Sequence, residues 1–106
     1  MLVLTTNEFP GHEITEVIGL VRGIVVRTPG IAQGLLGGLK SIIGGNIGAY
    51  AEVCEQARKD AYLKMVEHAE RKDADAIIGM RYDATEFAQA TTEVLAYGTA
   101  VKVRKI

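Results

Sequence analysis

The chain has no tryptophan, a single cysteine, two prolines and few aromatic residues. One cysteine, Cys54, excludes a disulfide within the chain and suits a reducing compartment, so a cytoplasmic protein is expected. No apolar run approaches the ~20 residues that cross a bilayer, and no membrane association is expected. The opening "MLVLTTNEF" lacks the basic start and long apolar core of a secretory leader. Neither sign of charge dominates: 12 Lys and Arg stand against 13 Asp and Glu, for a formal net charge of −1. That balance argues against the basic surface of a nucleic-acid binder. Groupings that carry catalysis are missing as well. Ser41 has no His or Asp in a register that would build a triad, and no carboxylate pair flanks a recognisable cleft. An enzyme is not the expected reading.

What is present fits one domain over residues 1–106, long enough for a single core. "LVLTT" (Leu2 to Thr6) reads as a short strand closed by the Pro10-Gly11 turn. Ile14 to Arg27, "ITEVIGLVRGIVVR", is rich in β-branched residues and reads as a long strand bent or bulged at Gly19 and Gly23. Ile31, Leu35, Leu39 and Ile42 recur at helical spacing, weakened by Gly34, Gly37 and Gly38. A stronger helix runs from Ala49 to Lys72, with Tyr50, Cys54, Ala57, Ala61, Met65 and His68 as its apolar stripe. Asp75 to Phe87 and Thr92 to Arg104 read as two strands joined by the short link "AQAT". The order β-β-α-α-β-β defines an α+β fold, with an antiparallel or mixed sheet and both helices on one face.

The long strand carries a further implication. Its two alternating sets are Ile14, Ile18, Leu20, Ile24, Val26 and Val17, Gly19, Val21, Gly23, Val25, and both are apolar. A sheet solvated on one side should alternate apolar with polar residues. The helices account for one covered face, and a second copy of the chain is the simplest cover for the other. A homo-oligomer is therefore expected.

Candidate sites are few. "GLLGGLKS" fails as a P-loop because Leu39 separates Gly38 from Lys40. Gly45-Asn46-Ile47-Gly48 matches the GXXG clamp of RNA-binding KH domains, but it brings no positive charge. A tight corner between helices explains Gly44, Gly45 and Gly48 better. His12, Cys54 and His68 are the side chains with metal-ligand chemistry, none at the spacing of a known motif. Cys54 and His68 share a helix but stand ~21 Å apart at 1.5 Å per residue, too far for one ion within a subunit. Arg22 sits among apolar residues, where a charge needs a partner. Arg81, Tyr82 and Glu93 are the candidates for company. An ion pair is the plain reading; an anion pocket or an enzyme site at a subunit boundary is the sharper one.

Taken together, "GLVRG" (Gly19 to Gly23), "GGNIGAY" (Gly44 to Tyr50), "ADAIIGMRYD" (Ala74 to Asp83) and "EVLAYGTAV" (Glu93 to Val101) resemble the YbjQ-like family. These are small bacterial and archaeal proteins provisionally labelled as binding heavy metals. The resemblance implies an α+β subunit assembled into a five-membered ring, with its glycine-rich strands packed between neighbours. It also implies no established enzymatic activity, a divalent or soft metal ion as the suspected cofactor, and no fixed Cys/His motif to carry over. Asn46 stands where members commonly carry a charge after the double glycine, which weakens a ligand role for that loop. Asp73 stands where many have glycine.

Overall fold

The computed structural model describes residues 1–27, 47–88 and 91–106. Within them run β1 (Leu2–Val3), β2 (His12–Arg27), α1 (Ile47–Arg71), β3 (Ala76–Ala88) and β4 (Thr91–Lys105). The fold is α+β, and among the described residues one helix lies on a four-stranded mixed sheet of order β1-β3-β4-β2. β1 runs parallel to β3, and β4 is antiparallel to both β3 and β2. The helix expected over Ile31 to Ile43, the glycines Gly44 and Gly45, and the middle of the "AQAT" link lie outside the described residues. Gly48 falls inside α1 rather than in a corner ahead of it.

β1 is shorter than the expected Leu2 to Thr6, yet the segment after it stays tied to β3. Leu4 donates to the Ile77 carbonyl, Met80 to Leu4 and Gly79 to Thr6. These bonds follow the chain around a register shift between Ile78 and Arg81. β2 bends at two shifts, Ile14 to Glu16 and Val17 to Gly19. Gly19 has φ of 128°, a backbone that L side chains rarely adopt, so the bulge itself requires glycine.

Each bulge flips the side-chain parity, so the expected division of β2 into two faces is corrected. Ile18 packs into the core under α1 together with Val21 and Val25, whereas Val17 is exposed. Gly23 is no bulge. It lies where α1 crosses the strand: a Cβ built on it would stand 2.0 Å from the Ala61 carbonyl oxygen and 2.5 Å from the Met65 nitrogen. The missing side chain is what lets helix backbone touch strand backbone.

The buried stripe of α1 is also corrected. Ala57, Ala61, Met65 and Ala69, each four residues on, face the sheet, while Cys54 is exposed. Three alanines let the helix ride low over Val21, Val25, Ile77, Val94, Ala96 and Ala100. A second, smaller cluster of Ala76, Ile78 and Val101 forms on the opposite face, with Phe9, Ile14 and Val103 packed against it. The segment before β2 thus covers one end of the face that the sequence reading left wholly bare.

α1 closes with a Schellman motif. Ala74 N–H donates to the Ala69 carbonyl and Asp73 N–H to that of Glu70, with Asp73 at φ 58°. Glycine would adopt this backbone without the Cβ conflict, which costs about 1 kcal/mol, partly offset by its looser unfolded chain. Asp73→Gly is expected to stabilise by about 0.5 kcal/mol. A thermal melt should move up by a few degrees; a downward shift would mean that the Asp73 carboxylate supports the turn.

Candidate functional site

Two clefts flank α1. The first lies along the outer edge of β2, the strand without a neighbour on that side among the described residues. Arg22 and Ile24 turn backbone groups outward there, and α1 meets both. Arg22 N–H donates to His68 Nδ1 at 3.1 Å, and Lys64 Nζ donates to the Ile24 carbonyl at 3.4 Å. Side chains at helix positions 64, 68 and 71 stand on one face because residues three and four apart stack. Arg71, last of the three, pairs with Glu67 at 2.9 Å. These residues line an open groove of about 390 Å³.

The hydrogen bond at His68 fixes its tautomer. Nδ1 accepts, so it carries no proton, and the neutral ring holds its proton on Nε2. A metal on Nε2 would need that proton moved to Nδ1, where it would face the Arg22 N–H. As folded, His68 is a donor to the cleft and a poor metal ligand.

The second cleft, about 760 Å³, lies between the N-terminal half of α1 and β3. Glu55, Arg58 and Tyr62 line it from the helix and Tyr82 from the strand. The Arg58 guanidinium carbon stands 6.0 Å from the centre of the Tyr82 ring. Burial and then Tyr62 raise the Tyr82 phenol above its ordinary value; Arg58 opposes them and Glu55 adds to the rise. Tyr82 is therefore a protonated donor at neutral pH.

The expected company of Arg22 is only partly assembled. Arg22 aligns with Tyr97 of β4, and Tyr97 with Arg81 of β3, so the two arginines share a row on the face away from α1. Arg81 is turned to the chain after β1, where it donates to the Thr5 carbonyl at 2.9 Å. Tyr82 belongs to the opposite face, and Glu93 pairs with Val26, four residues along β2 from Arg22. Lys64 went unremarked in the sequence, and Arg71 was read there only as lying off the apolar stripe. Their spacing around His68 was the available signal.

The metal candidates do not meet. His12 opens β2, its Nδ1 3.1 Å from the Pro10 carbonyl and its ring edge-on to Phe9. With Nδ1–H donated there, Nε2 keeps a free lone pair, an arrangement that suits ligation. His12 is ten residues from Arg22 along β2, about 30 Å at roughly 3.3 Å per residue, so it is remote from His68. Among the described residues no three of His, Cys, Asp and Glu converge on one point. Gly48 and Tyr50 lie in the first turns of α1.

The class is thus a small α+β protein whose described residues set a helix on a mixed sheet, with a cleft on each side of that helix. A family model described as "Putative heavy-metal-binding" matches residues 1–104, and the chain belongs to that family, the YbjQ-like proteins. A UPF0145 protein of Legionella pneumophila is 59% identical over 101 residues, 95% of this chain and 96% of the relative. One from Chromobacterium violaceum is 49% identical over 105 residues, 99% of this chain and 90% of its own length. A crystal structure of a DUF74-family protein of unknown function from Pediococcus pentosaceus shares the fold, with a TM-score of 0.57 and 18% identity. That likeness covers 98% of each chain. No helix among the described residues is long and apolar enough to cross a membrane.

Proposed function

We propose that the chain is a self-assembling, non-catalytic binding protein of the cytoplasm. Copies close into a ring through the sheet face that α1 leaves bare, and the ring presents sites for a small ligand or a divalent or soft metal ion. Five copies is the number the family resemblance implies.

What carries the reading is the bare part of that face. Leu20 is 63% exposed, Val17 66% and Val26 44%, beside the half-buried Ile24 and Leu95. Apolar side chains of this kind along an edge strand, with Arg22 the one charge among them, invite a partner. Strand addition along all of β2 is obstructed at its middle, where His68 and Lys64 already hold the outward N–H and C=O. Face packing is therefore favoured over edge pairing at that point. His12, with its free Nε2, is the best-placed metal ligand in one subunit, and a ring could supply several copies of it.

Native mass spectrometry of the purified protein, alone and then with Zn²⁺ or Cu⁺, tests both halves of the proposal. A single assembly with metal at a fixed ratio per ring is the expected result. Scattered adducts would remove the metal, and a monomer would remove the ring. Leu20→Glu should leave the fold intact and break the assembly. Each lost leucine contact is worth about 1.5–3 kcal/mol, roughly ten- to a hundredfold in association per interface. A Leu20→Glu protein that assembles like the parent would show that this face is not the interface.

A further inference from the structure

We propose that Arg22 and Glu93 form an ion pair between two copies of this chain, the guanidinium on one sheet face meeting the carboxylate on the next. The inference rests on the reading above that copies pack through this face, and it names the side chains that decide how they meet.

Both side chains stand unmatched on the bare face. Val21 and Val25 pack under α1, so Leu20, Arg22, Ile24 and Val26 alternate onto the other side of β2. Their partners across the ladder are Thr99, Tyr97, Leu95 and Glu93, and β3 continues the rows with Arg81, Asp83 and Thr85. Two cations, Arg22 and Arg81, thus share this stretch with two acids, Asp83 and Glu93. Arg81 donates to the Thr5 and Met80 carbonyls, and the Asp83 carboxylate accepts the Ala84 N–H. The Arg22 and Glu93 side chains have no hydrogen bond or ion pair among the described residues.

Within one subunit the two lie too far apart to pair. Glu93 stands opposite Val26, four residues along β2 from Arg22, about 13 Å at roughly 3.3 Å per residue. Ile24 and Leu95 fill the row between them. The face therefore carries a cation at one end, an acid at the other and apolar side chains between. It is complementary to itself when the Arg22 end of one copy is laid over the Glu93 end of another. A two-fold pair and a closed ring both allow that offset.

Desolvation selects the occupant. Leu20 and Val26 are exposed, and whatever covers them also takes water from Arg22 and Glu93 beside them. A charge buried without a counter-charge offsets much or all of the apolar gain. A foreign surface would have to bring an acid and a base at the matching separation. A second copy brings both by construction.

Charge reversal tests the pair, with association read by sedimentation velocity over a concentration series. Arg22→Glu and Glu93→Arg should each weaken association at least about tenfold, and the double variant should return it to within about threefold of the parent. Arg22 is exposed and Glu93 half-buried, and circular dichroism checks that each variant folds. Should a reversal misfold, Arg22→Gln and Glu93→Gln read the same pair: each is expected to weaken association, and the two together by less than their sum. Single reversals that associate like the parent, or a double variant as weak as the singles, would overturn the proposal. Leu20→Glu keeps that failure distinct from a failure of the face. If it breaks the assembly while both reversals leave it intact, copies meet on this face without the pair. A monomeric parent, or a Leu20→Glu protein that assembles as the parent does, removes both readings.

Discussion

Replacing Gly23 with alanine is expected to cost the fold more than about 3 kcal/mol, beyond the usual 1–3 kcal/mol of an overpacked site. The added Cβ would lie 2.0 Å from the Ala61 oxygen, 2.5 Å from the Met65 nitrogen and 2.8 Å from the Lys64 Cβ. The first two are backbone atoms inside a helix and have no rotamer to change. Relief requires lifting α1 by more than an ångström. That would open a gap along Val21, Val25, Ala61 and Met65 and pull His68 and Lys64 from the β2 edge. Ala61→Gly should not rescue the variant, because the atom struck is a carbonyl oxygen and not the alanine methyl. Gly98→Ala serves as the comparison. Its nearest neighbour is the Ile77 Cγ2 at 2.6 Å, the branch methyl of a buried side chain, and the nearest backbone atom is the Ile78 oxygen at 3.1 Å, so a smaller but still clear loss is expected. Urea unfolding at one fixed protein concentration measures all three. A Gly23→Ala protein within about 1 kcal/mol of the parent would mean that the crossing can shift at little cost.

The two glycines of β2 show what the residue letters conveyed. Both were marked in the sequence as places where the strand yields, and both matter, for different reasons. Gly19 is needed for its own backbone angle, Gly23 for what passes over it. A sequence marks glycine identically in the two cases, and only the position of α1 separates them. The bulge at Gly19 also explains why alternation misassigned Val17 and Ile18, since one extra residue reverses every face upstream of it.

Arg22 was legible as a charge among apolar neighbours, but its surroundings were not. The search for partners ran along the sheet, toward Arg81, Tyr82 and Glu93, because strand neighbours are what a sequence order suggests. β2 lies at the edge, and what α1 takes up there is backbone, the Arg22 N–H through His68 and the Ile24 carbonyl through Lys64. Strand order is set by long-range pairing, including the parallel contact of β1 with β3, and no local pattern encodes it. The helix stripe failed for a related reason. Cys54 and His68 were placed on it as apolar or capping residues, while the alanines that let α1 sit low are ambiguous in any hydrophobic pattern.

Met65→Ala is the second large effect expected. Met65 is fully buried and is the one long side chain in a helix stripe otherwise made of Ala57, Ala61 and Ala69. The alanines let α1 approach the sheet, and Met65 fills the space between them in the cluster with Val21, Ile77 and Ala100. Truncation leaves a cavity that cannot close, because Gly23 and Ala61 already hold helix and strand at contact. A loss of about 3 kcal/mol follows, within the ~2–5 kcal/mol found for such truncations. Met65→Leu keeps most of the volume and should cost less than about 1.5 kcal/mol. Lys64 and His68 flank Met65 on the same stretch of helix, so this one side chain anchors the two groups that hold the β2 edge. In Met65→Ala the hydrogen bond from Arg22 N–H to His68 should exchange with solvent faster than in the parent. Amide exchange at Arg22 reads that directly. Unchanged exchange beside a lowered urea midpoint would mean that the helix end is held from elsewhere.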